Sequence, residues 1–245
     1  MRVVTYNLRQ GDPANPNWSW VIEAFKPDIF LAQETREPPD PFRGKAAWCP
    51  VYDPHWGTAI YVGFGTITEL PLSDFHGSLV GVEVDSFPYP VATGRRLRVF
   101  SVHAPTDKGW ACTIAAVNRM LDTIERVGTE RGDADLMIGG DFNLYSLGKR
   151  HHSEIKAGSR WTTTSVESDI LIRLRKLGLI NCWQTANPGV PLAQTLRWTT
   201  DNVPSFHCDG IFVPETWKTP VCTVVNNREW DSMSDHNPVI ATFVE

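Results

Sequence analysis

The sequence Ser234-Asp235-His236-Asn237-Pro238 places a carboxylate and an imidazole side by side, directly before a final apolar run. Such a pair can help to hold a cation, orient a water molecule or donate a proton to a leaving group. The pattern is short, and by itself it is weak evidence for a site. It becomes informative because other polar clusters occupy the same position relative to an apolar run.

Three further polar clusters each follow a short apolar run. Asn7 follows residues 3–6, Gln33 and Glu34 follow residues 29–32, and Asp141 and Asn143 follow residues 136–140. Short apolar runs of this kind are typical of buried strands. The sequence therefore predicts that four strands deliver carboxylates, amides and a histidine to one edge.

Length, composition and charge narrow the class of protein. The chain has 245 residues, of which 42% are hydrophobic and 21% are charged, and no linker-like segment divides it. We therefore expect one domain, residues 1–245, with one large core. A net charge of -5 argues against a protein that coats nucleic acid electrostatically, although a local basic surface beside an acidic metal site remains compatible with it.

The five cysteines are odd in number and show no paired metal-ligand spacing. Reduced, buried thiols are therefore expected instead of a disulfide framework or a zinc site. The N-terminus enters a strand-like run without a charged segment, and no run of about eighteen apolar residues follows it. We expect a soluble cytoplasmic protein with no membrane association, unless a signal peptide was removed before the first residue.

Hydrophobic periodicity predicts interleaved strands and helices. The predicted helices cover residues 18–25, 110–127 and 166–177. The predicted strands cover residues 2–8, 28–33, 57–64, 79–85, 96–102, 135–138, 207–213, 221–225 and 238–244, and the third to fifth of these are expected to form an antiparallel meander. The expected fold is α/β, with two mainly antiparallel sheets packed face to face and helices outside.

The clustered oxygen donors suit phosphate-ester chemistry. A phosphodiester resists hydrolysis because its charge repels nucleophiles, so a catalyst needs a hard cation, a positioned water and a proton source. Mg²⁺ prefers about six oxygen ligands and keeps several as water. Glu34 is the leading predicted ligand, with Asn7 and Asp235 beside it. The alternative for Glu34 is a solvated acid at a strand end.

Asp141 and Asn143 stand two positions apart, so in extended backbone their side chains point to the same side. Asp141 is a candidate to orient or deprotonate the attacking water, and Asn143 is a candidate to hold a phosphoryl oxygen. The structural alternative is an Asx-turn that closes the strand. The other polar clusters favour the site over the turn.

Asp209 lies in the apolar run 206–213, where an unpaired charge costs several kcal/mol. It therefore needs a partner, and the simplest partners are His236 and His103, because a buried carboxylate fixes the tautomer of an imidazole. His103 follows the predicted strand 96–102, and its alternative interpretation is a core histidine with satisfied hydrogen bonds.

Six short motifs, taken in order, resemble those of the endonuclease/exonuclease/phosphatase superfamily, which has the DNase I-like fold. The motifs are Thr5-Tyr6-Asn7-Leu8-Arg9, Gln33-Glu34, Ser101-Val102-His103-Ala104-Pro105, Gly140-Asp141-Phe142-Asn143, Cys208-Asp209-Gly210-Ile211-Phe212 and Ser234-Asp235-His236-Asn237-Pro238. Each is common by chance, but the ordered set spans nearly the whole chain. The resemblance implies a four-layered α/β sandwich and Mg²⁺-dependent cleavage of phosphoester bonds, with Mn²⁺ as a possible substitute.

The resemblance also implies residue roles. It assigns Asn7, Glu34 and Asp235 to metal or phosphate binding, and Asp141 and Asn143 to positioning water and phosphate. It assigns His103 and His236 to proton transfer or transition-state stabilisation, and Asp209 to orienting a histidine.

The substrate is harder to assign, because proteins of one fold act on many phosphoesters. Arg150 and Trp161 belong to a basic and aromatic segment that is a candidate nucleic-acid contact, with a solvated loop as the alternative. Arg9 is a candidate phosphate contact, and it stands where apurinic-site endonucleases usually carry an acid. Residues 198–202 faintly resemble the tryptophan motif of tyrosyl-DNA phosphodiesterases.

The sequence thus predicts a metal-dependent nuclease that acts on DNA, or on RNA, without an obligate protein partner. One alternative is a phosphatase or phosphodiesterase for inositol phosphates, phospholipid or protein-linked nucleotides. The second alternative is an inactive binding module that keeps the fold.

Overall fold

A computed structural model describes most of the chain. The described residues are 1–9, 17–51, 55–85, 95–106, 109–130, 134–148, 165–197, 206–217, 221–226, 230 and 232–243. The strands are β1 (Arg2–Asn7), β2 (Ile29–Thr35), β3 (Ala46–Pro50), β4 (Gly57–Val62), β5 (Ile67–Glu69), β6 (Leu79–Val84), β7 (Arg96–His103), β8 (Ala134–Asp141), β9 (Leu179–Asn181), β10 (Asp209–Pro214), β11 (Val221–Val224) and β12 (Val239–Thr242). The helices are α1 (Asn17–Phe25), α2 (Asp40–Arg43), α3 (Trp110–Thr129), α4 (Ser165–Lys176) and α5 (Cys182–Ala186).

In the described ranges, the strands form two six-stranded sheets. The first has the order β11-β12-β1-β2-β4-β3, and the second has the order β5-β6-β7-β8-β10-β9. Each sheet contains one parallel pair, β1 with β2 and β7 with β8, and all its other pairs are antiparallel. A parallel pair needs a crossover connection, which α1 and α3 provide. The prediction of two mainly antiparallel sheets is confirmed.

The predicted meander is only partly correct. β6 and β7 pair antiparallel as expected, but β4 lies in the other sheet, between β2 and β3. Alternating Val, Ile and Tyr residues identify a strand, but they carry no information about which sheet it joins. The short strands β3, β5 and β9 were not predicted, because three to five residues give too little periodicity.

The molecule has four layers, helices, sheet, sheet and helices, and an apolar cluster fills each of the three spaces between them. Between the sheets, Leu31, Ile60, Met137 and Ile211 belong to one buried cluster. On the outer face of the second sheet, the apolar faces of α3 and α4 pack on β7, β8 and β10. On the outer face of the first sheet, α1 packs through Trp18, whose ring lies edge-on against Phe30. The predicted four-layered α/β sandwich is confirmed. Across the described residues, none of the helices combines the length and apolar character needed to cross a bilayer.

A buried arginine fixes the end of α3 against the second sheet. Arg98 on β7 is 3% exposed, and its guanidinium donates to the carbonyls of Val127 and Gly128 in the last turn. Its Nε also binds Glu83 on β6 at 2.9 Å. The carbonyls at a helix C-terminus have no partner within the helix, so this contact both satisfies them and complements the helix dipole.

Gly140, the residue before the last one of β8, lies so close to β7 that only glycine fits there. Its φ is +137°, and a Cβ at this position would lie 2.0 Å from the carbonyl oxygen of Val102 on β7. A side chain would therefore push β8 away from β7 directly before Asp141. The glycine allows the two parallel strands to approach at the edge where the polar side chains meet.

We predict that Gly140→Ala lowers the free energy of unfolding by about 3 kcal/mol, because the strained φ and the steric clash act together. Urea unfolding followed by circular dichroism measures the change. Gly44→Ala is the matched control, because Gly44 has φ -70° and a methyl group added there would meet nothing within 4 Å. Equal stability of the two variants would contradict the assigned role of Gly140.

Candidate functional site

The second sheet aligns three polar residues in one row across neighbouring strands, which we call the rung: His103, Asp141 and Asp209. Asp141 at the end of β8 pairs in register with His103 on β7 and with Asp209 on β10. Residues that pair on neighbouring strands share a face of the sheet. Asp141 is therefore flanked on both sides by groups that sequence analysis had also selected, and the side chain itself is fully buried.

Asn7 connects the first sheet to this rung. Its Nδ2 donates to Asp141 Oδ2 at 3.0 Å and to Glu34 Oε1 at 3.2 Å. Asn7 and Asp141 are 134 positions apart in the chain and lie on different sheets. This amide therefore ties the two sheets together at the edge of the sandwich.

Glu34 faces the same edge because β2 is irregular there. The register between β2 and β4 shifts between Ala32 and Thr35, and Glu34 has a φ of 46°. A bulge of this kind re-aims a side chain that a regular strand would point elsewhere. Glu34 Oε1 lies 3.4 Å from His103 Nε2, and the Glu34 side chain is 22% exposed.

The Glu34 carboxylate stays ionised despite its surroundings. Burial raises its pKa, but the hydrogen bonds and charge of His103, together with the hydrogen bond from Asn7, outweigh burial and lower the pKa overall. An ionised, partly exposed carboxylate can bind a cation.

Left-handed backbone is concentrated at the site. Of the four described non-glycine residues with positive φ, Arg9, Glu34 and Asn143 all lie at or just beyond the polar strand ends, whereas Lys26 follows α1. Each such residue costs on the order of 1–3 kcal/mol unless its surroundings impose the conformation. Strain of this kind clusters at functional sites.

Two Asx-turns hold this strained backbone. The Asn143 N–H donates to Asp141 Oδ1 at 2.8 Å, and the Arg9 N–H donates to Asn7 Oδ1 at 2.9 Å. The Asx-turn at Asp141, considered above as an alternative to a site, is therefore present together with the cluster. The expectation that the backbone is extended from Asp141 to Asn143 is wrong, because β8 ends at Asp141. In the same way, β1 ends at Asn7, before Arg9.

The buried Asp209 has His236 as its partner. Asp209 Oδ2 lies 2.9 Å from His236 Nδ1, and both side chains are nearly inaccessible. The ring directs its other nitrogen toward the rung, since His236 Nε2 lies 3.7 Å from Asp141 Oδ2. Of the two candidate partners, the structure thus selects His236, while His103 contacts Glu34.

Burial and neighbouring charges shift the pKa values of both His236 and Asp141. Burial lowers the pKa of His236, but the charges of Asp209 and Asp141 outweigh burial and raise it to about 10. Burial, followed by the charge of Asp209, raises the pKa of Asp141 to about 6. Near neutral pH, the imidazole therefore carries a proton and stands beside a carboxylate.

Two residues position the segment that carries His236. Ser234 Oγ donates to the carbonyl of Asn7 at 2.7 Å and accepts the His236 N–H at 3.1 Å. The guanidinium of Arg197 donates to the Ser234 carbonyl and to Asn237 Oδ1, and the backbone N–H of Arg197 donates to the Asp235 carbonyl at 2.8 Å. Sequence reasoning missed Arg197, because an isolated arginine 40 positions from its partner leaves no local signal.

An open pocket with a cavity volume of about 410 Å³ borders the cluster. Its polar part is lined by Glu34, Asn143, Asp235 and His236. The structure therefore brings Asp235 into the same pocket as Glu34. An aromatic part, which sequence reasoning also missed, is lined by Trp110, Tyr145 and Phe206.

The predicted substrate contacts are less well defined. Asn143 Nδ2 donates to the Ala104 carbonyl at 2.7 Å, and a primary amide has a second N–H to offer. Arg9 is exposed beside Asn7. Arg150 and Trp161 lie outside the described residues.

A metal ion has two possible sets of ligands here. Asp141, Asp209 and His236 offer ligand atoms within 4.8 Å of one another, and Asp209 Oδ1 has no hydrogen-bond partner among the described residues. To bind a metal, His236 would have to lose the proton that Asp209 and Asp141 stabilise, so a metal in this first set would compete with protonation of the ring. Glu34, Asn7 and Asp235 offer oxygen atoms only, which fits a hard cation such as Mg²⁺.

Comparison with solved structures identifies the fold. The endonuclease domain of the telomere-specific non-LTR retrotransposon TRAS1 is 20% identical with a TM-score of 0.64, and the match covers 100% of this chain and 98% of that one. An AP endonuclease from Archaeoglobus fulgidus is 14% identical with a TM-score of 0.70, and the 3′ phosphatase NExo from Neisseria, bound to product DNA hairpin, is 18% identical with a TM-score of 0.64. Both of these matches cover 100% of each chain.

At the level of sequence, the chain matches no family model and no curated protein. The similarity to solved structures therefore extends over the whole chain while the residue identity is low. The chain has the DNase I-like fold, the fold of the endonuclease/exonuclease/phosphatase superfamily.

Proposed function

We propose that this protein is a divalent-metal-dependent phosphodiester hydrolase, a nuclease that acts on DNA. The observation that carries the proposal is the contact set of Asp141, which joins Asn7 at 3.0 Å to a histidine, His236, that is paired with Asp209. A buried acid beside a protonated imidazole, at the border of an open pocket, suits general acid–base chemistry.

The metal would be held by Glu34, together with Asn7 and Asp235, with Mg²⁺ as the expected ion and Mn²⁺ as a substitute. When bound, such a cation supplies positive charge that stabilises the charge developing on the phosphoryl oxygens. The contacts of Glu34 with His103 and Asn7 support Glu34 as the main metal ligand. His103 holds Glu34 from one side, and Asn7 donates to the same carboxylate oxygen.

Asp141 would orient the attacking water and accept its proton. One of its oxygens is fixed by the Asn143 N–H, and the other faces Asn7 and His236. The carboxylate is therefore aimed by groups from three segments. A fixed orientation matters because water attacks phosphorus in line with the leaving oxygen.

His236 would donate a hydrogen bond to a phosphoryl oxygen as negative charge develops there. Asp209 accepts the Nδ1–H, which orients the ring and stabilises the imidazolium, and in that protonated form Nε2 carries the proton that is directed to the site. Asn143 adds a neutral donor to the lining of the same pocket. Both groups act by electrostatic stabilisation that requires little reorganisation during the reaction.

DNA is the favoured substrate because similar structures are described as endonucleases and as a 3′ phosphatase bound to product DNA hairpin. Arg9, Arg150 and Trp161 are the proposed contacts to the strand. The second candidate function is removal of a 3′-phosphate, which the similarity to the Neisseria phosphatase favours.

We also propose a reducing, cytoplasmic location, because the cysteines are odd in number.

The deciding assay offers several substrates side by side. These are plasmid DNA, single-stranded DNA, RNA, a 3′-phosphorylated oligonucleotide and an inositol phosphate, each with Mg²⁺, with Mn²⁺ and with EDTA. Cleavage of DNA that requires the metal supports the proposal. Turnover of the inositol phosphate alone, or no turnover of any substrate, would contradict it.

We predict that Asp209→Asn lowers kcat by about 10²- to 10⁴-fold, because the neutral amide no longer stabilises the imidazolium. Steady-state kinetics on the best substrate measure this effect, and a thermal melt checks the fold. Asp40→Asn is the matched control, because its side chain is 87% exposed. Wild-type kcat in Asp209→Asn would remove Asp209 from the proposed mechanism.

We predict that Glu34→Gln raises the Mg²⁺ concentration needed for half-maximal activity by about tenfold or more, because an anionic ligand is replaced by a neutral one. A Mg²⁺ titration at saturating substrate measures this shift. Glu69→Gln provides the control, since Glu69 is exposed on the edge strand β5. An unchanged titration curve would show that Glu34 is not a metal ligand.

A further inference from the structure

Three aromatic rings form a continuous row in the pocket beside the catalytic cluster. The rings of Trp110 and Tyr145 are stacked, with centroids 4.2 Å apart and an interplanar angle of 18°. The ring of Phe206 continues the row at 5.4 Å from Tyr145. Trp110 and Tyr145 are only partly buried, so the row borders the cavity as well as the core.

The chain fixes this row close to the reacting groups. Tyr145 stands two positions after Asn143, and Phe206 stands three positions before Asp209. Trp110 is the first residue of α3, whose apolar face packs on the second sheet. The row is therefore held beside segments that carry reacting groups, and it lines one cavity with Glu34, Asn143, Asp235 and His236.

The two parts of the cavity differ in charge. Its charged lining residues, among those the structure describes, are Glu34, Asp235 and His236, which belong to the catalytic part. The aromatic row is accompanied by uncharged residues, including Thr113, Leu144 and Leu196. These uncharged residues offer no cation to a phosphate, whereas a flat neutral base gains from stacking on an aromatic ring.

The size of the cavity limits the occupant. About 410 Å³ is at the lower end of the range for small-ligand pockets, enough for a single nucleotide unit but not for a base-paired duplex. A nucleobase that enters this cavity must therefore be unpaired and no longer stacked on its neighbours in the DNA. The energetic cost of unstacking is lowest where the strand is already single.

We infer that the row formed by Trp110, Tyr145 and Phe206 is a base-binding subsite that stacks one unpaired nucleobase beside the scissile phosphate. The inference rests on the proposed function and narrows its substrate to single-stranded DNA or a frayed DNA end. Stacking on an aromatic side chain strengthens binding of a base by about 5- to 150-fold. Because stacking tolerates any base, the subsite selects for an intact base and not for its sequence.

A binding experiment tests the subsite without relying on turnover. Thymidine 3′,5′-bisphosphate and the same compound without its base are titrated in EDTA by isothermal calorimetry. We expect wild-type protein to bind the thymidine compound at least about 5-fold more tightly, the lower end of the range for stacking on one ring. Trp110→Leu should reduce this ratio to about one, and leave the affinity for the baseless compound unchanged.

Two control variants separate stacking from general damage. Trp110→Phe keeps an aromatic ring and should retain most of the preference, and Trp20→Leu replaces a tryptophan on α1 that is 46% exposed. Tyr145→Leu serves as a second probe of the row if Trp110→Leu proves unstable in a thermal melt. Equal wild-type affinity for the two compounds, or an unchanged ratio in a folded Trp110→Leu or Tyr145→Leu protein, would overturn the inference.

A parallel assay distinguishes the two proposals. Metal-dependent hydrolysis of single-stranded DNA is measured on the same preparations. If hydrolysis is absent but the base preference depends on Trp110, the proposed function fails and the subsite stands. If hydrolysis occurs but the base makes no difference to binding, the subsite fails and the proposed function stands.

Discussion

The structure of the site depends on stabilising one buried carboxylate, Asp141. An isolated charge at a fully buried position costs several kcal/mol, and its pKa is accordingly raised. The groups that offset this cost come from distant segments: the amide of Asn7, the N–H of Asn143 and the imidazole of His236. The carboxylate is therefore stabilised by groups from both sheets, and these groups meet only in the folded structure.

Backbone strain accompanies this arrangement. Regular strands would end in extended backbone, yet Arg9, Glu34 and Asn143 adopt left-handed conformations at the edge of the sandwich. At Arg9 and Asn143, the side chain two positions earlier accepts the N–H and holds the turn. At Glu34, a bulge in β2 serves the same purpose. The rigid sheets thus supply the stability that allows strained residues to aim their side chains.

The electrostatic balance gives His236 and Glu34 opposite charges. Asp209 and Asp141 hold a proton on His236, while His103 and Asn7 keep Glu34 ionised. One part of the cluster thereby offers a hydrogen-bond donor and the other a negative ligand. In the proposed hydrolase, this division would let a cation and a phosphate occupy adjacent positions. The neutral aromatic row completes the pocket with a surface suited to a flat ring.

The sequence by itself determined the fold class, the polar strand ends and the need of Asp209 for a partner, because these follow from local periodicity and from the cost of burying a charge. Only the tertiary structure decided that His236 is that partner, that Arg197 positions its segment, and that Trp110 stacks on Tyr145. Asp209 and His236 are 27 positions apart, and Arg197 and Asn237 are 40 positions apart. Contacts over such distances along the chain depend on strand register and loop paths. Spacing along the chain reports which residues share a strand, but it does not report which strands meet.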